Sequence, residues 1–144
     1  MSETKSTDHG RVAIVTGAGK SLGAAYAHAL GARGLKLVVN NRRREGELSS
    51  ADKVVGELRE QGIDAVAEYS DIAEPGAAEA IVQKAIDQFG RLDVVVFNAG
   101  IVGDIGWFGK FDIDSFRTVM ETNYFANVAI ALAALPHLKK SGSG

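Results

Sequence analysis

Three groups of residues in this 144-residue chain have the types and spacing to do chemistry. The first is the turn Thr16-Gly17-Ala18-Gly19-Lys20-Ser21-Leu22-Gly23. Glycines here let the backbone turn sharply, let a pyrophosphate approach without a Cβ in the way, and let a following helix pack closely on its strand. Such a turn aims backbone N–H groups and a helix dipole at one spot, which suits a phosphate. The second group is Asn41-Arg42-Arg43-Arg44. Asn41 stands where a carboxylate would accept from a ribose 2′-hydroxyl. An uncharged residue there removes repulsion toward a 2′-phosphate, which Arg42 would grip bidentately while Lys20 adds charge from the other side. The same run also reads as a solvated arginine loop. The third is Ser70-Asp71-Ile72. Asp71 suits acceptance from an adenine amino group while the backbone after it pairs with the ring; it equally suits an ordinary Asx turn.

The elements that must position these groups alternate regularly. Apolar strand runs are predicted at Val12–Val15, Leu35–Asn40, Ala65–Tyr69 and Val94–Phe97. Helices are predicted over Leu22–Ala32 and Ala51–Gln61, and from Pro75 to Phe89 with Gly90 as the stop. A loop rich in glycine and aromatic residues covers 101–111, and a long helix runs from Asp114 to Leu135, closed by Pro136. Four strands alternating with helices imply an α/β fold, a doubly wound parallel sheet with helices on both faces. Right-handed crossovers give strand order 3-2-1-4 and bring the glycine turn together with Asn98-Ala99-Gly100 where the order reverses. Residues 1–10 read as a disordered tail and 11–144 as one dinucleotide-binding domain.

Composition narrows the function classes. A hydrophobic content of 46% supplies a core, and a net charge of -2 gives no reason to expect nucleic acid or an anionic membrane as partner. There is no cysteine, and His9, His28 and His137 lack ligand spacing, so no metal site is expected. The N-terminus lacks the apolar core of a signal peptide, and the uncharged run Thr122–Leu135 is too short to span a bilayer. A cytoplasmic protein is the expectation.

Two phosphate-binding patterns compete at the turn. Gly19-Lys20-Ser21 looks like the end of a P-loop, but Ile14 occupies the position of that motif's first glycine. Glycines at 17, 19 and 23 also depart from G-x-G-x-x-G. The better fit is Thr-Gly-x-x-x-Gly-x-Gly, with Ser21 replacing the middle glycine. A side chain there requires negative φ, with the hydroxyl facing the pyrophosphate.

Together with Asp71-Ile72, Asn98-Ala99-Gly100 and Glu121-Thr122-Asn123, this turn resembles the N-terminal half of the catalytic domain in classical short-chain dehydrogenases/reductases. The resemblance implies a Rossmann-type sheet. It also implies a nicotinamide cofactor held by Thr16, Gly17, Gly19, Lys20, Ser21, Leu22, Gly23, Asn41, Arg42, Asp71, Ile72, Asn98, Ala99 and Gly100. Phe97 departs from the family's Asn-Asn-Ala-Gly. Asn123 matches the family's catalytic Asn, which holds a water and a helix kink for proton relay; by residue type alone it is a polar residue bending its helix. Gly34–Ala67 is further similar to the dehydrogenase domains of multifunctional 3-hydroxyacyl-CoA enzymes, although Asn41 replaces their Asp.

The resemblance implies an oxidoreductase moving hydride between NADP(H), favoured over NAD(H), and a small carbonyl or alcohol, acyl-CoA types included. It also implies a homo-oligomer at full length. The family's Tyr-x-x-x-Lys has no match here: four residues after Tyr26, Tyr69 and Tyr124 stand Leu30, Ala73 and Val128. The chain is therefore expected to supply the cofactor half and to be inactive alone. A non-catalytic dinucleotide-binding module, or an inactive truncated product, is the alternative.

Overall fold

In the computed structural model, which describes residues 8–43 and 49–142, four strands form one parallel sheet. β1 (Val12–Val15), β2 (Lys36–Asn40), β3 (Ala65–Glu68) and β4 (Val94–Val96) lie in the order β3-β2-β1-β4. Arg44 and residues 1–7 lie outside the described residues. Helices α1 (Ser21–Ala32) and α2 (Ser50–Glu60) make the first two crossovers, and α3 (Ala77–Phe89) carries the chain back across the sheet to β4. Pro75 precedes this helix instead of opening it, because two turns and the left-handed cap Gly76 come first.

Strand alternation divides the core in two. Val12, Ile14 and Val38 point to the face covered by α3, while Ala13, Val15, Leu37 and Val39 point to the face covered by α1 and α2. Every residue of β1 is fully buried, as a central strand covered on both faces must be. Each such aliphatic side chain contributes about 1.5–3 kcal/mol. β4 has one strand neighbour among the described residues and is only half-buried.

The expected long helix is three segments. α4 (Ile113–Met120) passes through a wide π turn at Glu121–Phe125 into α5 (Ala126–Ser141). Pro136 does not close it. The proline removes one N–H from the ladder on an exposed face, while Ala134 and Leu138 pack on the core at either side and keep the chain helical to the left-handed cap Gly142.

The expected tail also needs correcting at its end. Asp8 is buried and paired with Arg11 and Arg33 at 2.8 and 2.6 Å, and the Gly10 N–H donates to the Gly34 carbonyl. Residues 8–10 are thus held to the body of the domain. No helix among the described residues is long and apolar enough to cross a membrane.

Candidate functional site

The site is assembled at the carboxyl ends of β1, β2, β3 and β4, the edge of a parallel α/β sheet where ligands bind. Thr16 directly follows β1 and is wholly buried. Its Oγ1 accepts from the N–H groups of Asn98 and Ala99, both at 3.1 Å, and donates to the Val96 carbonyl. Asn98 answers with its Nδ2, which donates to the Thr16 and Gly17 carbonyls at 2.9 and 3.2 Å. A single hydroxyl and a single amide therefore fasten the glycine turn to the end of β4. Losing the Thr16 hydroxyl would strip two half-buried N–H groups of their acceptor, at up to about 1–3 kcal/mol each.

Asn40 fastens the other side. Its carbonyl accepts from the Ala18 N–H at 2.8 Å, and its Nδ2 donates to the Glu68 carboxylate at 2.6 Å and to the Ser70 carbonyl at 3.0 Å. Asn41 donates to the Ser50 Oγ at 2.7 Å, so the end of β2 is also tied to the start of α2.

Between these ties lies a cleft of about 550 Å³. Within the glycine turn it is lined by Gly17, Lys20, Ser21, Leu22 and Gly23. Across from them stand Asn41, Arg42, Asp71 and Ile72, and the segment after β4 contributes Asn98, Ala99 and Gly100. Gly17 has φ +63°, and a Cβ there would sit 2.8 Å from the Ala99 Cα, so only glycine fits. A Cβ on Gly23 would meet the Asn98 amide and the Gly17 carbonyl at 2.5 Å. Thr16 and Gly19, expected at the site, lie behind its wall, buried.

The α1 N-terminus opens on this cleft without a side-chain cap and without an acidic residue in its first turn. Its first N–H groups thus remain available to an anion. Ser21 departs from expectation: its φ is +50°, not negative. The turn imposes the left-handed conformation that a glycine would adopt freely, and serine, small and exposed, accepts it.

The described arginines separate. Arg42 reaches Asp71 at 3.1 Å across the cleft. Arg43 instead lies over the Tyr69 ring, 4.4 Å from its centroid, and 3.6 Å from Asp52. The Tyr69 hydroxyl donates to Asp52 at 2.5 Å, and that bond to a carboxylate raises the phenol above its usual pKa.

Asn123 sits in the wide turn, beside the cleft and not in its lining. Its amide clamps one backbone unit from both sides: Oδ1 accepts from the Ile101 N–H and Nδ2 donates to the Ile101 carbonyl, each at 2.8 Å. Its own carbonyl accepts from the Asn127 Nδ2 at 2.9 Å. The helix widens into a π turn at this residue, and its side chain holds the loop after β4.

Sequence reasoning missed Asn40, Ser49, Ser50 and Ile101, and it gave Ser70 and Thr122 only as motif neighbours of Asp71 and Asn123; all six line the cleft. Ser49 is buried, and its Oγ has no partner among the described residues. Ser49-Ser50 immediately before an apolar helical stripe is a helix-start signal that would have pointed to two of them. A polar Asn40 closing an apolar strand run would have pointed to a third.

Comparison with known proteins agrees with this geometry. A family model described as short chain dehydrogenase matches residues 11–144. Versicolorin reductase stcU of Emericella nidulans is 40% identical over 133 residues, covering 92% of this chain and 49% of that protein. The peroxisomal multifunctional enzyme type 2 of Mus musculus is 39% identical over 140 residues, 94% of this chain and 18% of that protein. A crystal structure of a short chain dehydrogenase from Mycobacterium avium superposes with a TM-score of 0.84 at 36% identity, covering 94% of this chain and 49% of that one. A metagenomic short-chain oxidoreductase in complex with NADP gives the same TM-score at 27% identity, over 94% of this chain and 60% of that one. The chain spans about half the length of the curated reductases it matches. With the turn, the sheet order and the family match in agreement, the chain belongs to the short-chain dehydrogenase family.

Proposed function

We propose that these residues form the cofactor half of an NADP(H)-linked oxidoreductase acting on a small carbonyl or alcohol. One observation carries the reading. A single cleft combines the uncapped α1 N-terminus, Lys20 and Arg42 on its rim, and an uncharged Asn41 where a carboxylate would repel a 2′-phosphate. The glycine positions fit the group, since a Cβ at Gly17 would strike Ala99 and one at Gly23 would strike Asn98 and the Gly17 carbonyl, forcing open the tight turn whose backbone must approach a pyrophosphate. When bound, a nicotinamide dinucleotide supplies hydride exchange at a carbonyl carbon. The chain's own part is to bind and orient: the α1 N-terminus takes the pyrophosphate, Asp71 and the Ile72 backbone take the adenine, and Arg42 with Lys20 takes the 2′-phosphate. Thr16, Asn98 and Asn123 act as positioning residues by fixing the turn and the loop after β4.

The relative solved with NADP supports this cofactor, and the versicolorin reductases support a reduction as the reaction. The resemblance to multifunctional enzymes adds acyl-CoA-type substrates, and self-association at full length belongs to the same reading. Cytoplasmic placement does too, although two relatives are named as peroxisomal.

Fluorescence titration of the chain with NADPH and NADH tests the proposal. One charge-assisted contact to a 2′-phosphate is worth roughly 1.5–3 kcal/mol, so NADPH should bind at least about tenfold more tightly. Arg42→Ala combined with Lys20→Ala should erase most of that margin. Equal affinities for the two cofactors in the unmutated chain would overturn the preference.

A further inference from the structure

We propose that the Arg42–Asp71 ion pair is a selectivity device, in which a 2′-phosphate draws Arg42 away and so releases Asp71 for the adenine. The inference rests on the dinucleotide reading above and goes beyond it, because it makes two separate contacts interdependent. Both residues line the cleft, and they are bonded to each other through one oxygen, Nη1 to Oδ2, at 3.1 Å. Their meeting follows from the backbone. The Asn41 N–H donates to the Glu68 carbonyl at 3.0 Å and the Arg43 N–H to the Tyr69 carbonyl at 3.4 Å, so β2–β3 pairing continues past both strand ends. Residues 42 and 71 are then left on adjoining segments at the mouth of the cleft.

The two partners differ in freedom. Asp71 is anchored, for its Oδ1 accepts from the Ala73 N–H at 3.1 Å in an Asx turn. Arg42 has a half-exposed side chain and only this one ion pair among the described residues. Arg43 does not substitute for it, being held over Tyr69 and beside Asp52. An adenosine without a 2′-phosphate must therefore share Asp71 Oδ2 with the Arg42 guanidinium, which occupies one of its lone pairs and lowers its strength as an acceptor, and it offers Arg42 no new acceptor. An adenosine 2′-phosphate offers a dianionic acceptor and frees the carboxylate in the same exchange. Selectivity then contains a penalty on the wrong ligand as well as an attraction for the right one.

The test is an NMR titration of the full chain with adenosine and adenosine 2′-phosphate. Adenosine is uncharged, so any change in its affinity reports the pair and not long-range attraction. Arg42→Ala should bind adenosine tighter by roughly 1.5- to 5-fold, the range of an exposed ion pair, and adenosine 2′-phosphate more weakly by at least about tenfold. Asp71→Asn keeps an oxygen for the adenine amino group and should tighten adenosine 2′-phosphate by a similar 1.5- to 5-fold, because Arg42 is no longer held. Both side chains are solvent-facing, and unchanged amide spectra away from the cleft will show that the variants fold. Adenosine affinity that is unchanged or weaker in Arg42→Ala, with the unmutated chain still preferring the 2′-phosphate, overturns the exchange and leaves the cofactor reading standing. Failure of both ligands to bind the unmutated chain overturns both.

Discussion

Ser21 holds φ +50° at the mouth of the cleft, a conformation that costs a residue with a Cβ roughly 1–2 kcal/mol. Ser21→Gly should therefore raise the melting temperature by about 2–4 °C per kcal/mol relieved, and cofactor should bind as well or slightly better. A clear loss of affinity in that variant would show that the hydroxyl contacts the ligand. The serine was legible as a substitution for glycine, but its φ was not. Backbone conformation at one position is set by how α1 must leave the turn, which the types of neighbouring residues do not encode. Thr16 and Asn98 were legible as members of the site, and their manner of action was not. Both spend their polar atoms on the protein itself, holding β1 to β4. A motif tells which residues a site needs; only the geometry separates those that face the ligand from those that hold the wall.

At the scale of elements, the strands and their order follow from apolar runs long enough to be covered on both faces, and the sheet agrees with that reading. The π turn at Glu121–Phe125 was not legible as such, because it amounts to a single extra residue inside one continuous helical run. Pro136 misled because a proline's cost is local, while the burial of Ala134 and Leu138 on either side acts over several turns. Asp8 escaped notice in a polar stretch, yet it joins the segment before β1 to Arg33, the residue after α1. Hydrogen bonds first from Arg33 and then from Arg11 hold its carboxyl below the usual carboxylate range. A lowered folded-state pKa adds stability that is fully present above about pH 4 and is lost as the pH falls through the lowered value. Calorimetry should then show a melting temperature that drops as the pH falls below about 4, more steeply than in Asp8→Asn, which starts lower at neutral pH. Parallel pH profiles in the two proteins would remove this role.

The whole molecule exposes apolar surface on the side of β4 and the final helices. Val102, Ile105, Trp107 and Phe108 are each about four-fifths or more exposed, and Leu132 and Phe125 more than half. A strand edge with one neighbour beside such a surface is a template for association. The 144-residue chain, expressed alone, should elute as oligomers in size-exclusion chromatography and show no NADPH oxidation with carbonyl substrates. A monodisperse, cooperatively melting monomer would contradict the first expectation, and measurable turnover the second. The tie between Thr16 and Asn98 has a further consequence, which concerns time. The two residues are separated by 82 positions. At roughly 5–20 residues per second, a ribosome needs about 4–16 s to make the second after the first. β1 and β2 are complete well before then, so for those seconds the glycine turn exists with nothing to hold its far side. A nascent chain therefore passes through an interval in which the phosphate cradle has been synthesised but has no fixed shape. Cofactor added during translation has its partner only once Asn98 has left the exit tunnel.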